Sequence, residues 1–126
     1  MCGICGQFNF NPERIVDKEL IKRMKLSLAH RGPDGQGMWV KDQIGLGHTR
    51  LAVIDLSVNG HQPMSNETGS IWITYNGEVY NFHDLRKELE SKGHRFRSNS
   101  DTEVIVHLYE EEGIQCMTRL RGMFAF

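Results

Sequence analysis

The chain has 126 residues, of which 39% are hydrophobic and 25% charged, a composition typical of one soluble globular domain. Its 15 basic and 16 acidic side chains give a net charge of −1, and its longest apolar runs, 51–54 and 123–126, are far shorter than the roughly 20 residues that cross a bilayer. Since no secretory signal is present either, we expect a cytoplasmic protein with no nucleic-acid or membrane partner.

In chain order the sequence predicts a strand, a helix, two paired strands, a further buried strand, two helices and a final apolar run. The strands are predicted over residues 4–10, 38–40, 44–54 and 71–75. The helices are predicted over about 18–30, 82–92 and 102–112, with one more helical turn over 117–121. Asp17 and Asp101 are the expected capping acids, and Gly113 is the expected end of the last helix. The predicted order combines paired strands with one single helix and one pair of consecutive helices. This order predicts an α+β fold.

The three cysteines, Cys2, Cys5 and Cys116, cannot all pair within the chain, and bridges are rare in a cytoplasmic protein. Cys2 and Cys5 form a C-x-x-C pair, which occurs in redox sites and as half of a zinc site. A structural zinc needs four ligands, however, and the chain has no second C-x-x-C, while its six histidines show no paired ligand spacing. We therefore predict free thiols and no metal site.

The N-terminus is the first place where the sequence suggests chemistry. Removal of Met1 would leave Cys2 as the first residue, so that a thiol and a free α-amine would share one residue. An unperturbed α-amine has a pKa of about 7.7 to 8.0 and can act as general base for its own side chain, as in N-terminal nucleophile hydrolases. An early cysteine also occurs in many proteins without such a role, so the position of Cys2 alone does not establish that it is a nucleophile.

Six motifs in a fixed order carry a resemblance to a known family. They are MCGICG (1–6), HRGPDG (30–35), HTRLAVID (48–55), YNGEVYN (75–81), SDTEV (100–104) and RGMFAF (121–126). Across essentially the whole chain, this series resembles the glutaminase domain of asparagine synthetases, a class II glutamine amidotransferase. The Leu-Ala-Val-Ile-Asp run after Arg50 resembles the synthetase branch, because amidotransferases that make aminosugars or phosphoribosylamine typically have His-Thr-Arg-Trp there.

The resemblance implies an N-terminal nucleophile (Ntn) hydrolase-like fold, an αββα sandwich in which two antiparallel sheets lie between helical layers. It implies that residues 1–126 form an incomplete type 2 glutamine amidotransferase domain, truncated at its C-terminal end. In the family, a second domain uses ATP and magnesium to adenylate the side chain of aspartate and receives the ammonia. We therefore expect no cofactor in this chain and a C-terminal synthetase domain in the parent protein.

The resemblance also implies a set of site residues for L-glutamine. Cys2 would be the nucleophile, and Asn76 with the backbone N–H of Gly77 would form the oxyanion hole. The substrate pocket would consist of an arginine for the α-carboxylate, acids for the α-ammonium, a largely backbone wall and the oxyanion residues: Arg50, Asp101, Glu78, Leu51, Ala52, Val53, Ile54, Asn76 and Gly77.

Each of these residues also has a simpler structural interpretation. Asn76-Gly77 after a strand is a strong hairpin signal, and this role is compatible with an oxyanion hole. A lone charged residue such as Arg50 is more often part of a solvated ion pair, and Asp101 could be a helix cap and a ligand together. The residues 31–34 are interpreted as turn architecture, and the acids 110–112 as a solvated helix end.

A second function class remains open, a catalytically silent module of the same fold that binds or regulates a partner. Because the apolar run 123–126 resembles a core strand without its neighbours, we also expect the chain to form a homo-oligomer through this edge.

Overall fold

Seven β-strands and three α-helices make up the computed structural model, which describes residues 1–126. The strands are β1 (Gly3–Phe8), β2 (Gly35–Lys41), β3 (Ile44–Arg50), β4 (Met64–Ser65), β5 (Trp72–Ile73), β6 (Asn76–Val79) and β7 (Gly122–Ala125). The α-helices are α1 (Lys18–Ser27), α2 (Phe82–Ser91) and α3 (Asp101–Glu112), and short 3₁₀ turns cover Ala29–Arg31, Val58–Gly60 and Gly113–Thr118. None of these helices has the length and apolar content needed to cross a bilayer.

The first layer is an antiparallel sheet with the strand order β1-β3-β2, covered on one face by α1. Asp17 caps α1, as predicted, by accepting a hydrogen bond from Glu19 N. Ile21 of this helix is fully buried. A side chain at Gly45 of β3 would collide with Ile21, so glycine in the strand lets the helix approach the sheet closely.

The second layer contains two small antiparallel sheets, β4-β5 and β6-β7, and α2 and α3 pack against each other beside it. Twelve buried residues from β4 onwards form its core. The two layers meet where Trp39 stacks on Trp72 with ring centroids 4.8 Å apart and where Thr74 Oγ1 donates to Gly47 O over 3.2 Å. Sheets thus lie between α1 on one side and α2 with α3 on the other, which confirms the predicted α+β class.

Three local predictions were wrong. The strand predicted over 44–54 ends at Arg50, because the next backbone segment bends away and its Ala52 amide donates to Asp34 Oδ2. Asn76-Gly77 is not a turn but the start of β6. The capping side chain of α3 is Ser100, which accepts a hydrogen bond from Thr102 N, whereas Asp101 is the first helical residue.

All four residues of β7 are exposed in a two-stranded sheet with β6, as expected of an apolar run without its neighbouring strands. One surface prediction was wrong, since the acids at the end of α3 are not simply solvated. They bind Asn66, His94, His107, Lys92 and Arg119.

Candidate active site

A cleft of about 330 Å³ opens where the start of β1, the end of β3, strand β6 and the N-terminus of α3 meet. Every residue that the sequence analysis assigned to the site lines this cleft: Cys2, Arg50, Leu51, Ala52, Val53, Ile54, Asn76, Gly77, Glu78 and Asp101. The fold therefore brings together side chains from distant parts of the chain.

Cys2 lies half-buried at the start of β1, and Met1 lines the same cleft. The Leu51 amide donates to Cys2 Sγ over 3.3 Å, and the carbonyl oxygen of Leu51 is 3.5 Å from the same sulfur. On the other side, Arg31 Nε donates to the Cys2 carbonyl oxygen over 3.0 Å. The thiol and the backbone of this residue are thus held by two different segments.

Residues 51–54 form an irregular wall of the cleft directly after β3. Asp34 holds this wall from outside, because its Oδ2 accepts the Ala52 amide over 2.9 Å, while the Asp34 amide donates to Arg50 O. The Leu51 and Ala52 amides are occupied by Cys2 and Asp34, whereas the amides of Val53 and Ile54 have no strand partner and remain available to a polar ligand.

Arg50 is 9% exposed, and its guanidinium lies against the following loop. Nη1 donates to Ser57 O over 2.7 Å, and Nη2 donates to Asp55 O. A side chain at Gly60 would collide with Nη2, so the loop backbone closes tightly over the guanidinium. Because a guanidinium carries five N–H donors, two bonds to carbonyl oxygens fix its orientation and leave donors for a carboxylate.

Asp101 is 4% exposed at the N-terminus of α3. Its Oδ2 accepts hydrogen bonds from the Tyr75 hydroxyl over 2.7 Å and from Val79 N over 2.9 Å. Burial, followed by the contact with Asp101, raises the pKa of Tyr75 well above its usual range, so Tyr75 stays a neutral donor. Glu78, the second predicted acid, is exposed at the cleft rim.

The amide of Gly77 lies on the side of β6 that faces away from β7. Tyr80 N donates to Arg121 O at the end of this antiparallel pair, and N–H directions alternate along such a ladder, so Gly77 and Val79 both point away from β7. The bond from Val79 N to Asp101 agrees with this direction. The Gly77 N–H therefore faces the edge where Asp101 lies.

Glycine is required at position 77 for a second reason. A Cβ atom there would collide with Met123 O and with Phe124, because β7 passes directly against it. Asn76, one residue earlier, is half-buried at the cleft. The glycine whose backbone N–H was assigned to the oxyanion hole is thus also required for packing.

Behind the cleft, His48 is 1% exposed and its Nε2 lies 3.2 Å from Tyr75 O. Burial lowers the pKa of His48 to about 4, and the positive charges of His61 and Arg50 lower it further. The hydrogen bond to Tyr75 O has the opposite effect but is outweighed by burial. A neutral imidazole at this position donates from Nε2 and fixes the backbone that leads into β6. Its Nδ1 has no partner.

Several residues that organise the site were interpreted only as turn architecture or were not singled out by sequence reasoning. Arg31 and Asp34 belong to the Arg-Gly-Pro-Asp-Gly run, whose turn signal was clear but whose contacts with Cys2 and Ala52 depend on the tertiary fold. Gln62 accepts the Tyr75 amide over 2.6 Å and donates to Thr102 Oγ1 over 3.2 Å. No local pattern marks such a bridging glutamine.

The three thiols lie in three different environments. Cys2 lines the cleft, whereas Cys5 lies against Gly47 on the α1 side of the sheet, and Cys116 belongs to the core beside α3. Burial raises the pKa of Cys5 and of Cys116. Residues three apart on a strand point to opposite faces, so Cys2 and Cys5 do not act as a chelating pair.

A family model described as "Glutamine amidotransferase domain" matches residues 1–126. The chain belongs to the glutamine amidotransferase family. This amidotransferase domain is similar over its full length to glutamine-hydrolyzing asparagine synthetase 1 of Bacillus subtilis (strain 168), at 45% identity over 128 residues and 20% of the relative. It is 43% identical over 126 residues to glutamine-hydrolyzing asparagine synthetase 1 of Arabidopsis thaliana, covering 100% of the chain and 21% of the relative. The domain thus spans about a fifth of the length of these relatives.

The fold also matches a solved structure. Glutamine phosphoribosylpyrophosphate amidotransferase from B. subtilis, complexed with ADP and GMP, aligns with a TM-score of 0.76 at 25% identity, over 97% of this chain and 34% of that chain. The Ntn amidotransferase fold implied by the sequence motifs is therefore confirmed.

Proposed function

We propose that this amidotransferase domain hydrolyses the side-chain amide of L-glutamine to glutamate and ammonia. One observation carries the proposal: a thiol, a buried guanidinium, a buried carboxylate and an outward-facing amide line the same cleft, supplied by Cys2, Arg50, Asp101 and Gly77. Glutamine offers the complementary groups, namely an electrophilic amide carbon, an α-carboxylate, an α-ammonium and a carbonyl oxygen.

The amine of Cys2 acts as general base once Met1 has been removed. While Met1 is present, the Cys2 nitrogen is part of a peptide bond and cannot accept a proton. After removal, the amine takes the thiol proton and the sulfur attacks the amide carbon. The Leu51 amide, 3.3 Å from Sγ, donates to the sulfur and keeps it directed into the cleft.

Attack converts the amide carbonyl oxygen into an oxyanion, which the Asn76 side-chain NH₂ and the Gly77 N–H stabilise. The C–N bond then breaks, and the nitrogen leaves as ammonia after it accepts a proton from the Cys2 ammonium. Water attacks the resulting thioester, the C–S bond breaks, and glutamate is released with the thiol restored. No metal or redox partner is needed to balance these steps.

Substrate selection rests on the two buried charges. Arg50 binds the α-carboxylate with the donors that Asp55 and Ser57 leave free, and Asp101 binds the α-ammonium with Oδ1, since Oδ2 is occupied by Tyr75 and Val79. Glu78 adds a negative charge at the rim, and the backbone of 51–54 forms the wall.

We further propose that the domain works within a longer cytoplasmic protein that uses the ammonia for ATP-dependent asparagine synthesis. The support is the similarity to asparagine synthetases of which this domain covers about a fifth. ATP and Mg²⁺ would belong to the synthetase part, and nothing in the proposed chemistry of the cleft requires them.

The test is glutamate formation from glutamine by protein whose N-terminus has been defined by mass spectrometry. We expect activity when Cys2 is the first residue, its loss in Cys2→Ser, and its retention in the matched Cys5→Ser variant, because Cys5 lies on the α1 side of the sheet. Glutamine binding without turnover in processed protein would contradict the proposal and favour a catalytically silent module.

A further inference from the structure

Three potential ligand atoms converge beside α3, away from the cleft. His107 and Glu110 lie one turn apart on this helix, and His94 comes from the segment between α2 and α3. His94 Nδ1 is 3.1 Å from His107 Nδ1, His107 Nδ1 is 2.8 Å from Glu110 Oε2, and His94 Nδ1 is 3.6 Å from Glu110 Oε2. The two histidines are 13 positions apart in the sequence, so no paired ligand spacing marks them, and they meet only in the folded chain.

These separations match one face of a tetrahedral coordination sphere. Zinc–nitrogen and zinc–oxygen bonds of about 2.0 to 2.2 Å place neighbouring ligand atoms roughly 3.3 Å apart. The three observed edges, 2.8, 3.1 and 3.6 Å, lie around that value. An ion could therefore bind above the triangle with little movement of the side chains.

Hydrogen bonding within the cluster leaves one acceptor in excess. His94 Nε2 is 3.0 Å from Glu111 Oε1, so it carries the proton and leaves Nδ1 as a lone pair. Glu110 accepts only, so the single proton of His107 Nδ1 faces both Glu110 and His94. Two acceptor electron pairs thus share one proton, whereas a divalent cation would accept an electron pair from each of the three atoms once that proton is released.

The outer contacts of His94 and Glu110 are those that metal-binding side chains use. Glu111 orients His94 through Nε2, and Asn66 Nδ2 donates to Glu110 Oε1 over 2.8 Å. His107 Nε2 is buried without a hydrogen-bond partner, and Glu103 and Glu67 each lie 3.8 Å from it. A carboxylate that is hydrogen-bonded opposite the ligating nitrogen, as Glu111 is at His94, fixes the ring orientation and increases the basicity of the ligand.

Exposure and charge also favour a bound cation. His107 is 1% exposed, but the side chains of His94 and Glu110 are 16% and 23% exposed, so one side of the triangle is open to water. Four carboxylates surround the two imidazoles, those of Glu67, Glu103, Glu110 and Glu111. Lys92 near Glu111 and Arg97 near Glu103 compensate two of these four charges.

We propose that His94, His107 and Glu110 bind a divalent transition-metal ion, Zn²⁺ in the first instance, with water as the fourth ligand. Two imidazoles and one carboxylate form a donor set that Zn²⁺ accepts in proteins. The ion would join the segment before Ser100 to α3. That segment leads to Asp101 in the cleft, so the site would stabilise the approach to the cleft without taking part in glutamine hydrolysis.

The experiment is a Zn²⁺ titration of the 126-residue chain in competition with a chromophoric chelator. Cys2 and Cys5 are replaced by serine so that the two thiols that are not buried do not contribute. We expect one ion per chain. His94→Gln and Glu110→Gln each remove a ligand and should weaken binding at least about 100-fold, whereas Glu111→Gln removes an outer contact and should weaken it about 10-fold.

Two matched variants serve as controls. His83→Gln changes an exposed histidine, and Glu112→Gln changes a glutamate two residues after Glu110 that binds Arg119 instead. Both should bind Zn²⁺ as the parent does. Circular dichroism checks the fold of each variant, and X-ray absorption of the Zn²⁺-loaded chain with the same two serine replacements reports its ligands directly.

A coordination shell of nitrogen and oxygen atoms, together with selective loss in the two ligand variants, supports the proposal. It is overturned if the chain takes up no ion at micromolar Zn²⁺, if the absorption spectrum shows sulfur ligands, or if the control variants lose as much affinity as the ligand variants. The readout is metal binding, so the result is independent of glutaminase activity.

Discussion

The Nε atom of Arg31 donates a hydrogen bond to the carbonyl oxygen of Cys2 over 3.0 Å, across 29 positions of the chain. Arg31 lies in the 3₁₀ turn that follows α1, and Gly32 next to it packs directly against the backbone of Thr49. The turn therefore positions the backbone that carries the proposed nucleophile. Arg31 is a positioning residue, since its side chain contacts the backbone of Cys2 rather than the reacting sulfur.

Replacing Arg31 by glutamine should reduce kcat by up to about 100-fold, because a displaced nucleophile costs roughly that much, and should change KM little. Steady-state glutaminase kinetics measure both constants. Arg23→Gln is the matched control, since Arg23 is exposed on α1. Unchanged kcat in Arg31→Gln would contradict the positioning role.

Processed protein should react with a glutamine-like electrophile faster at Cys2 than at Cys5 or Cys116. The reason is that Cys2 lines the cleft, while burial raises the pKa of both other thiols and lowers their thiolate fraction. Peptide mapping after limited alkylation measures the three rates. Equal labelling of the three thiols, or turnover by protein that retains Met1, would be incompatible with the proposed nucleophile.

The Asn76→Ala variant should lose roughly 10²- to 10³-fold in kcat with little change in KM, as expected when one oxyanion donor is removed. Asn59→Ala is a suitable control, because Asn59 is an exposed amide that donates to Arg97 O. A raised KM with unchanged kcat in Asn76→Ala would assign this residue to ground-state binding instead.

Arg50→Lys should raise KM for glutamine about tenfold or more, because a single ammonium cannot bind the Asp55 and Ser57 carbonyls and a carboxylate in the same geometry. Initial rates over a range of glutamine concentrations give KM. Arg14→Lys changes an exposed arginine and should leave KM unchanged. An unaltered KM in the folded Arg50→Lys variant would exclude the carboxylate-binding role.

His48 should make the fold less stable as the pH falls from about 6.5 to about 4. Its pKa is about 4 in the folded chain and about 6.5 when unfolded, so in this interval the unfolded state binds more protons. The contribution of His48 to the free energy of unfolding is fully present above pH 6.5. It should decrease by about 3 kcal/mol as the pH falls to about 4. Urea unfolding at a series of pH values measures it.

The comparison variant for this pH dependence is His48→Gln, whose amide Nε2 can take the place of the imidazole Nε2 as donor to Tyr75 O but does not titrate. It should lose this part of the pH dependence and keep the rest. The same slope in both proteins would show that other groups are responsible.

The amino-acid sequence by itself determined the elements whose signals are local. Asp17 caps α1 and Gly113, at φ 55°, ends α3, because capping and positive φ depend on one residue and its immediate neighbours. The order of six short motifs determined the family and the residues of the cleft, because each motif lies in one segment of the chain.

Only the tertiary structure decided how those segments contact one another. Leu51–Ile54 are apolar enough for a strand, yet they form a cleft wall because Asp34 binds the Ala52 amide. Ser100 caps α3, so the Asp101 carboxylate is free to accept hydrogen bonds from the Tyr75 hydroxyl and the Val79 amide. His94 and His107 meet because the segment after α2 folds back onto α3. Some of these contacts join residues that are far apart in sequence, and others arise where two residues compete for one partner. Both kinds depend on packing geometry that periodicity and spacing do not encode.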